Sequence, residues 1–130
     1  MRLHHVQLMM PTDGHGLARA FWVDAVGLTE VPKPAALAVR GGCWFRAFAP
    51  DGSVTVEIHA SPTEDFSPAL RAHPALLLDS VDELEQLAGR IAGGGFEVSW
   101  ADRDTFDGYV RFHCRDGFGN RVEVLTPVVA

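Results

Sequence analysis

Two stretches, FAPDGSVTVEIHA (residues 48–60) and HCRDGFGNRVEVLTP (residues 113–127), can be laid over one another turn on turn, and that likeness decides the fold. In each, apolar residues alternate on either side of a glycine-containing turn, Pro50-Asp51-Gly52-Ser53 in one and Asp116-Gly117-Phe118-Gly119 in the other. That is the pattern of a β-hairpin. The overlay places Glu57 on Glu123, so the chain reads as two copies of one unit, each closing on a strand that carries a glutamate.

Working outward, the first copy starts with alternation over residues 2–10, which predicts a strand. Thr12-Asp13-Gly14 offers capping groups, and Leu17, Ala20, Phe21 and Val23 to Ala25 predict a helix over 14–26, ended at Gly27. A short strand at 28–31 is broken by Pro32-Lys33-Pro34, and the hairpin of 43–49 and 54–60 follows. After a polar, proline-bearing linker at 61–70 the order begins again. There is a strand at 73–78 and a capping box at Ser80 to Glu83. Leu84, Leu87, Ala88 and Ile91 then stand at helical spacing before Gly93-Gly94-Gly95. A strand at 96–100 and the hairpin of 109–115 and 120–126 complete it. The expected fold is α+β, two βαβββ modules forming a curved mixed sheet. The whole chain, 1–130, is one domain, with module one at 2–60, a linker at 61–70 and module two at 71–127.

Composition fits a self-sufficient globular domain, at 47% hydrophobic and 22% charged residues in 130. Seventeen acidic against eleven basic residues, with no Lys/Arg cluster, argue against a nucleic-acid partner. The N-terminus enters a strand pattern at once and no run reaches the length of a signal core or a membrane span, so a cytoplasmic protein with no membrane partner is expected. Cys43 and Cys114 lie in apolar strands without Cys-x-x-Cys spacing and read as buried reduced thiols.

Strand alternation then sorts the polar residues. With Val122 and Val124 toward the helix layer, Arg121, Glu123 and Leu125 take the opposite face. Thr55, Glu57 and His59 do the same in the first hairpin, as do His5 and Gln7 in the first strand. His5, Glu57, His59 and Glu123 are thus expected on one concave surface, and each module also supplies a histidine near its start, His5 or His73. The phase of His73 is open, because HPALLLD is apolar on both faces. Imidazole and carboxylate together suit a divalent first-row cation, with Zn, Ni, Fe, Mn and Co all compatible. Arg111 and His113, opposite Val110, Phe112 and Cys114, are candidates to line the substrate pocket with Gln7. His4, in phase with Val6 and Leu8, reads as a core or interface residue, and His15 as an exposed helix-start residue. Trp44, Phe45 and Phe48 read as core or pocket wall, and Trp100 as structural.

LHHVQL, ARAFWVDAVGLTEV, AHPALLLDSVDEL and RDGFGNRVEVLTP together resemble the vicinal oxygen chelate superfamily, the glyoxalase/bleomycin resistance protein/dioxygenase fold, over nearly the whole chain. Trp22 stands where the family has Tyr, Val26 where it has Leu, and Gly117 where its D-P-x-G-N turn has Pro. The resemblance implies that His5, His73 and Glu123 hold a divalent metal ion, with Glu57 as a fourth ligand and His59 competing for that place. It implies a lyase or isomerase in which Glu57 and Glu123 are catalytic, acting on a small oxygen-chelating substrate such as a hemithioacetal or an acyl thioester. A dioxygenase, a thiol transferase and a metal-free drug-binding or resistance protein are the alternatives. A homodimer is expected, with each chain closing its own cup or with modules exchanged, and the 32–42 and 102–108 segments are expected to close over the pocket.

Overall fold

Val6 to Pro11 form β1, the first of four strands in the amino-terminal half of a computed structural model that describes residues 1–128. A helical segment follows, α1 (His15–Arg19), which continues without a break as a π-helical turn over Ala20–Ala25. The order then runs β2 (Thr29–Val31), α2 (Ala35–Ala38), β3 (Cys43–Phe48) and β4 (Val54–Thr63). The second half is β5 (Ala75–Leu77), α3 (Val81–Gly93), β6 (Val98–Ser99), β7 (Tyr109–Arg115) and β8 (Arg121–Pro127). The chain divides into two compact units, Met1–Pro68 and Ala69 onward.

Each unit holds one mixed four-stranded sheet, and the strand orders β1-β4-β3-β2 and β5-β8-β7-β6 are the same order written twice. In both, the first strand runs parallel to the fourth and the other pairs are antiparallel. The duplication read in the residues is therefore a duplication of topology. In unit one the helix buries Ala18, Phe21, Trp22 and Ala25, with Phe21 and Trp22 edge to face at 4.9 Å. In unit two α3 starts at Ser80, whose Oγ accepts from the Glu83 amide at 3.2 Å, and it packs Leu84, Leu87, Ala88 and Ile91 onto β7 and β8. Burial of each large apolar side chain there contributes about 2 kcal/mol before entropy is counted.

The structure shifts several expected boundaries. Residues 2–5 and His73 precede their strands rather than lying in them: the ladders of β1 and β5 start at Val6↔Ile58 and Ala75↔Glu123. Alternation therefore does not govern His4, whose side chain is 79% exposed and not core. Strand β4 runs on to Thr63, since β1 needs parallel partners as far as Pro11↔Thr63, and this shortens the linker. Expected strand 96–100 is ordered as a strand only at Val98–Ser99, and α2 stands within the 32–42 loop. Phe45 is wholly buried, whereas Phe48 is 47% exposed, next to the register shift at Ala47/Phe48. Trp100 packs on Phe112 at 5.2 Å. Cys43 and Cys114 are buried and unpaired, and burial pushes their thiols up to about 11 and about 12, so neither is a nucleophile near neutrality. No helix among the described residues is long and apolar enough to cross a membrane.

One backbone position ties the α2 loop to the sheet. Gly42 has φ +96°, its amide donates to His15 Nε2 at 3.0 Å, and a Cβ there would lie 2.5 Å from the Ala60 carbonyl oxygen. His15 is accordingly half-buried and structural, not a free surface residue. Gly42→Ala combines backbone strain with a clash against main chain and should cost about 2 kcal/mol in urea unfolding; an unchanged midpoint would show that the loop yields freely.

Candidate functional site

In unit two, β7 and β8 pair so that His113 lies directly across from Glu123, while Arg111, two residues away on the same face, reaches it diagonally. Arg111 Nη1 donates to Glu123 Oε1 at 2.6 Å, and the same guanidinium donates to the Asp102 carbonyl and to Thr105 Oγ1. Arg111 thus fastens the 102–105 segment beside the glutamate. His73 Nε2 is 3.4 Å from Glu123 Oε2, although His73 lies ahead of β5. Its Nδ1 lies 2.6 Å from the Arg71 carbonyl, which can only accept, so Nδ1 carries a proton and Nε2 is the nitrogen turned toward the carboxylate. His113 Nε2 is buried, 3.7 Å from Glu123 Oε1, and is left without a hydrogen-bond partner among the described residues. Each of His73, His113 and Glu123 presents a ligand atom, all within 4.8 Å of one another.

Unit one builds a related group from different neighbours. Across the β3–β4 ladder Arg46 is opposite Glu57 and Trp44 opposite His59. Arg46 Nε donates to Glu57 Oε1, and His59 Nε2 donates to Glu57 Oε2 at 2.8 Å. The His59 ring is stacked between His5 and Trp44, each at a centroid distance of 4.1 Å. His4 Nδ1 lies 3.7 Å from Glu57 Oε2 and 2.9 Å from His5 Nδ1. Here the atoms within 4.8 Å of one another belong to His4, His5 and Glu57, while His59 holds the carboxylate from the side.

The electrostatics follow from burial and pairing. Burial pushes both glutamates up, but hydrogen bonds from His59 and Arg46 to Glu57, and from Arg111 to Glu123, outweigh it and hold both carboxyls below their ordinary value. Burial lowers His59 and His113, so both imidazoles are neutral at physiological pH. A buried anion flanked by neutral imidazoles is a donor set for a divalent cation. The fit is best supported at His73 and Glu123, where a carbonyl partner on Nδ1 fixes the tautomer that leaves Nε2 free to coordinate.

Of the residues singled out from the sequence, the structure gathers His5, Glu57 and His59 in unit one and His73, Glu123, Arg111 and His113 in unit two. Gln7 is exposed and lines a cavity of about 390 Å³ in unit one with His5, Trp44 and His59. His113 lines one of about 230 Å³ in unit two with Asp102 and Arg121. Sequence reading missed Arg46 and the role of His4. Arg46 was legible in principle, because the hairpin closed by Pro50 to Ser53 sets it across from Glu57; His4 was not, because it lies outside the ladder.

A family model described as the Glyoxalase/Bleomycin resistance protein/Dioxygenase superfamily matches residues 2–124. Among solved structures, a protein of Bacillus anthracis assigned to the glyoxalase family is 34% identical, with a TM-score of 0.80 over 98% of this chain and 100% of that one. The fosfomycin resistance protein FosX of Listeria monocytogenes is 16% identical, with a TM-score of 0.72 over 99% of this chain and 95% of its own. A glyoxalase/dioxygenase of Nostoc punctiforme is 19% identical, with a TM-score of 0.73 over 98% and 92%. The last two likenesses concern the fold alone. No curated protein matches the chain.

Proposed function

Because the chain belongs to the glyoxalase/bleomycin resistance protein/dioxygenase superfamily, we propose that it is a divalent-metal lyase or isomerase acting on a small substrate with two adjacent oxygens, such as a hemithioacetal or an acyl thioester. The observation that carries this reading is the pairing of His73 Nε2, freed for coordination by the Arg71 carbonyl, with the buried carboxylate of Glu123. Superfamily resemblance adds His5 and Glu57 to the ligands, and both stand in the histidine–glutamate group of unit one. A divalent ion, when bound, supplies Lewis-acid stabilisation of negative charge on a substrate oxygen.

The chain's own residues do the rest. Arg111 and Arg46 fix the two carboxylates in place and keep them ionised. Glu57 has both oxygens engaged, by Arg46 and His59, which suits it to holding charge more than to taking up a proton. His113 Nε2, buried and unpartnered 3.7 Å from Glu123 Oε1, is placed to complete the ligand group of unit two. We take the working form to be a homodimer in the cytoplasm.

The test is elemental analysis of the purified protein after loading with Ni, Zn, Mn or Fe and dialysis, alongside His73→Ala and Glu123→Ala. Retained metal in the wild type and its loss in both variants is the expected result. No metal above background in the wild type would overturn the reading and leave a metal-free ligand-binding protein.

A further inference from the structure

Lys33 and Arg40 stand on either side of α2, and both line the cavity of about 390 Å³ in unit one, together with Gln7, Trp44, His5 and His59. No aspartate or glutamate is among its lining residues, although the chain carries seventeen acidic residues against eleven basic ones. The cavity of about 230 Å³ in unit two is different: its Arg115 and Arg121 are accompanied by Glu97 and Asp102. Half-buried Lys33 donates to the Gly41 carbonyl, which leaves two of its ammonium hydrogens uncommitted. The Arg40 amide bonds the Leu37 carbonyl, but its guanidinium makes no hydrogen bond or ion pair among the described residues, so its five N–H donors are free. The bond from the Gly42 amide to His15 holds the loop that carries both cations.

Two unneutralised cations in one concavity raise the local potential and draw in anions, and a planar guanidinium matches an oxyanion with two parallel hydrogen bonds. Cavity and ligand group also share residues, since His4 and His5 belong to both. We propose that this cavity is an oxyanion subsite, in which Arg40 and Lys33 bind a carboxylate, phosphonate or phosphate carried by the substrate apart from its two chelating oxygens. The substrate is then a small organic anion, not a neutral molecule. This inference rests on the metal-dependent reading above and narrows it.

The test compares three chelators of the Ni-loaded protein by calorimetry: acetohydroxamate, which has no second acidic group, succinomonohydroxamate, which adds a carboxylate, and phosphonoacetohydroxamate, which adds a phosphonate. At least one of the two acid-bearing chelators should bind about tenfold more tightly than acetohydroxamate. In Arg40→Gln, and further in the double variant with Lys33→Gln, that ratio should fall toward one. The preferred acid identifies the oxyanion. Equal affinity of all three for the wild type, or a ratio that survives the double variant, overturns the subsite and leaves the metal reading standing. Failure of acetohydroxamate and both other chelators to bind overturns the two together. Arg40 is exposed and unpartnered, so its replacement gives a folded protein to measure.

Discussion

Glu123→Gln is expected to weaken divalent-metal binding by at least about a hundredfold while leaving the unit folded, because it removes the charge and keeps the shape. Glu123 is 5% exposed, and its Oε1 takes a 2.6 Å hydrogen bond from Arg111. A glutamine carbonyl can accept the same bond, so the guanidinium keeps a partner and the 102–105 segment keeps its anchor. What the variant lacks is the negative charge that His73 Nε2 faces at 3.4 Å and that would compensate a dication in a site with little water. Glu123→Ala should lose metal equally but also cost about 3 kcal/mol in urea unfolding, since Arg111 would be left partly buried without its carboxylate. Titration against a competing chromophoric chelator measures the affinity. If Glu123→Gln binds metal as the wild type does, the glutamate is a structural partner of Arg111 and the proposed ligand set is wrong.

The same residues show how far a sequence carries such an argument. Period-two alternation is a local signal, and in β4, β7 and β8 it put Glu57 with His59, Arg111 with His113, and Glu123 on the faces where they meet their partners. Which residue stands across the ladder is a matter of register, and register depends on where a turn closes. The shared overlay of Glu57 on Glu123 is matched in topology, yet the position directly opposite holds Arg46 in one unit and His113 in the other. Repeat logic carried the carboxylate between units but could not carry its neighbour. Beyond the ends of the strands alternation loses its physical basis, which is why His4 was assigned to the apolar face; the phase of HPALLLD could not be fixed because that stretch is apolar on both faces. The His73 ring is turned by a bond to the Arg71 carbonyl, two residues away, and no periodicity reports that. The π-helical turn at Ala20–Ala25 was invisible for a similar reason, since its apolar residues also fit an α-helix.

Asn120→Ala is expected to destabilise the protein by about 3 kcal/mol, with a deficit that is larger at neutral pH than at about pH 4. Asn120 is 2% exposed, and its side chain closes two contacts at once: Oδ1 accepts from the Ala69 amide at 2.9 Å and Nδ2 donates to Asp116 Oδ2 at 2.8 Å. Asp116 Oδ1 meanwhile accepts from the Phe118 and Asn120 amides, so the carboxylate is the hub of the final turn. Truncation leaves a main-chain donor and a carboxylate oxygen without partners. The pH dependence follows from the carboxyl. Burial pushes Asp116 above its ordinary 3.8, and the Asn120 side chain leads the hydrogen bonds that oppose the rise. Without that donor the folded-state value climbs further while the unfolded value stays. A group raised in the fold contributes its stability in full below the unfolded value and loses it as pH rises through the folded one, so the added loss in the variant accumulates above 3.8. Urea unfolding of wild type and variant at the two pH values gives the difference directly. Equal deficits would mean that Asn120 acts through Ala69 alone and that the ionisation of Asp116 does not depend on it.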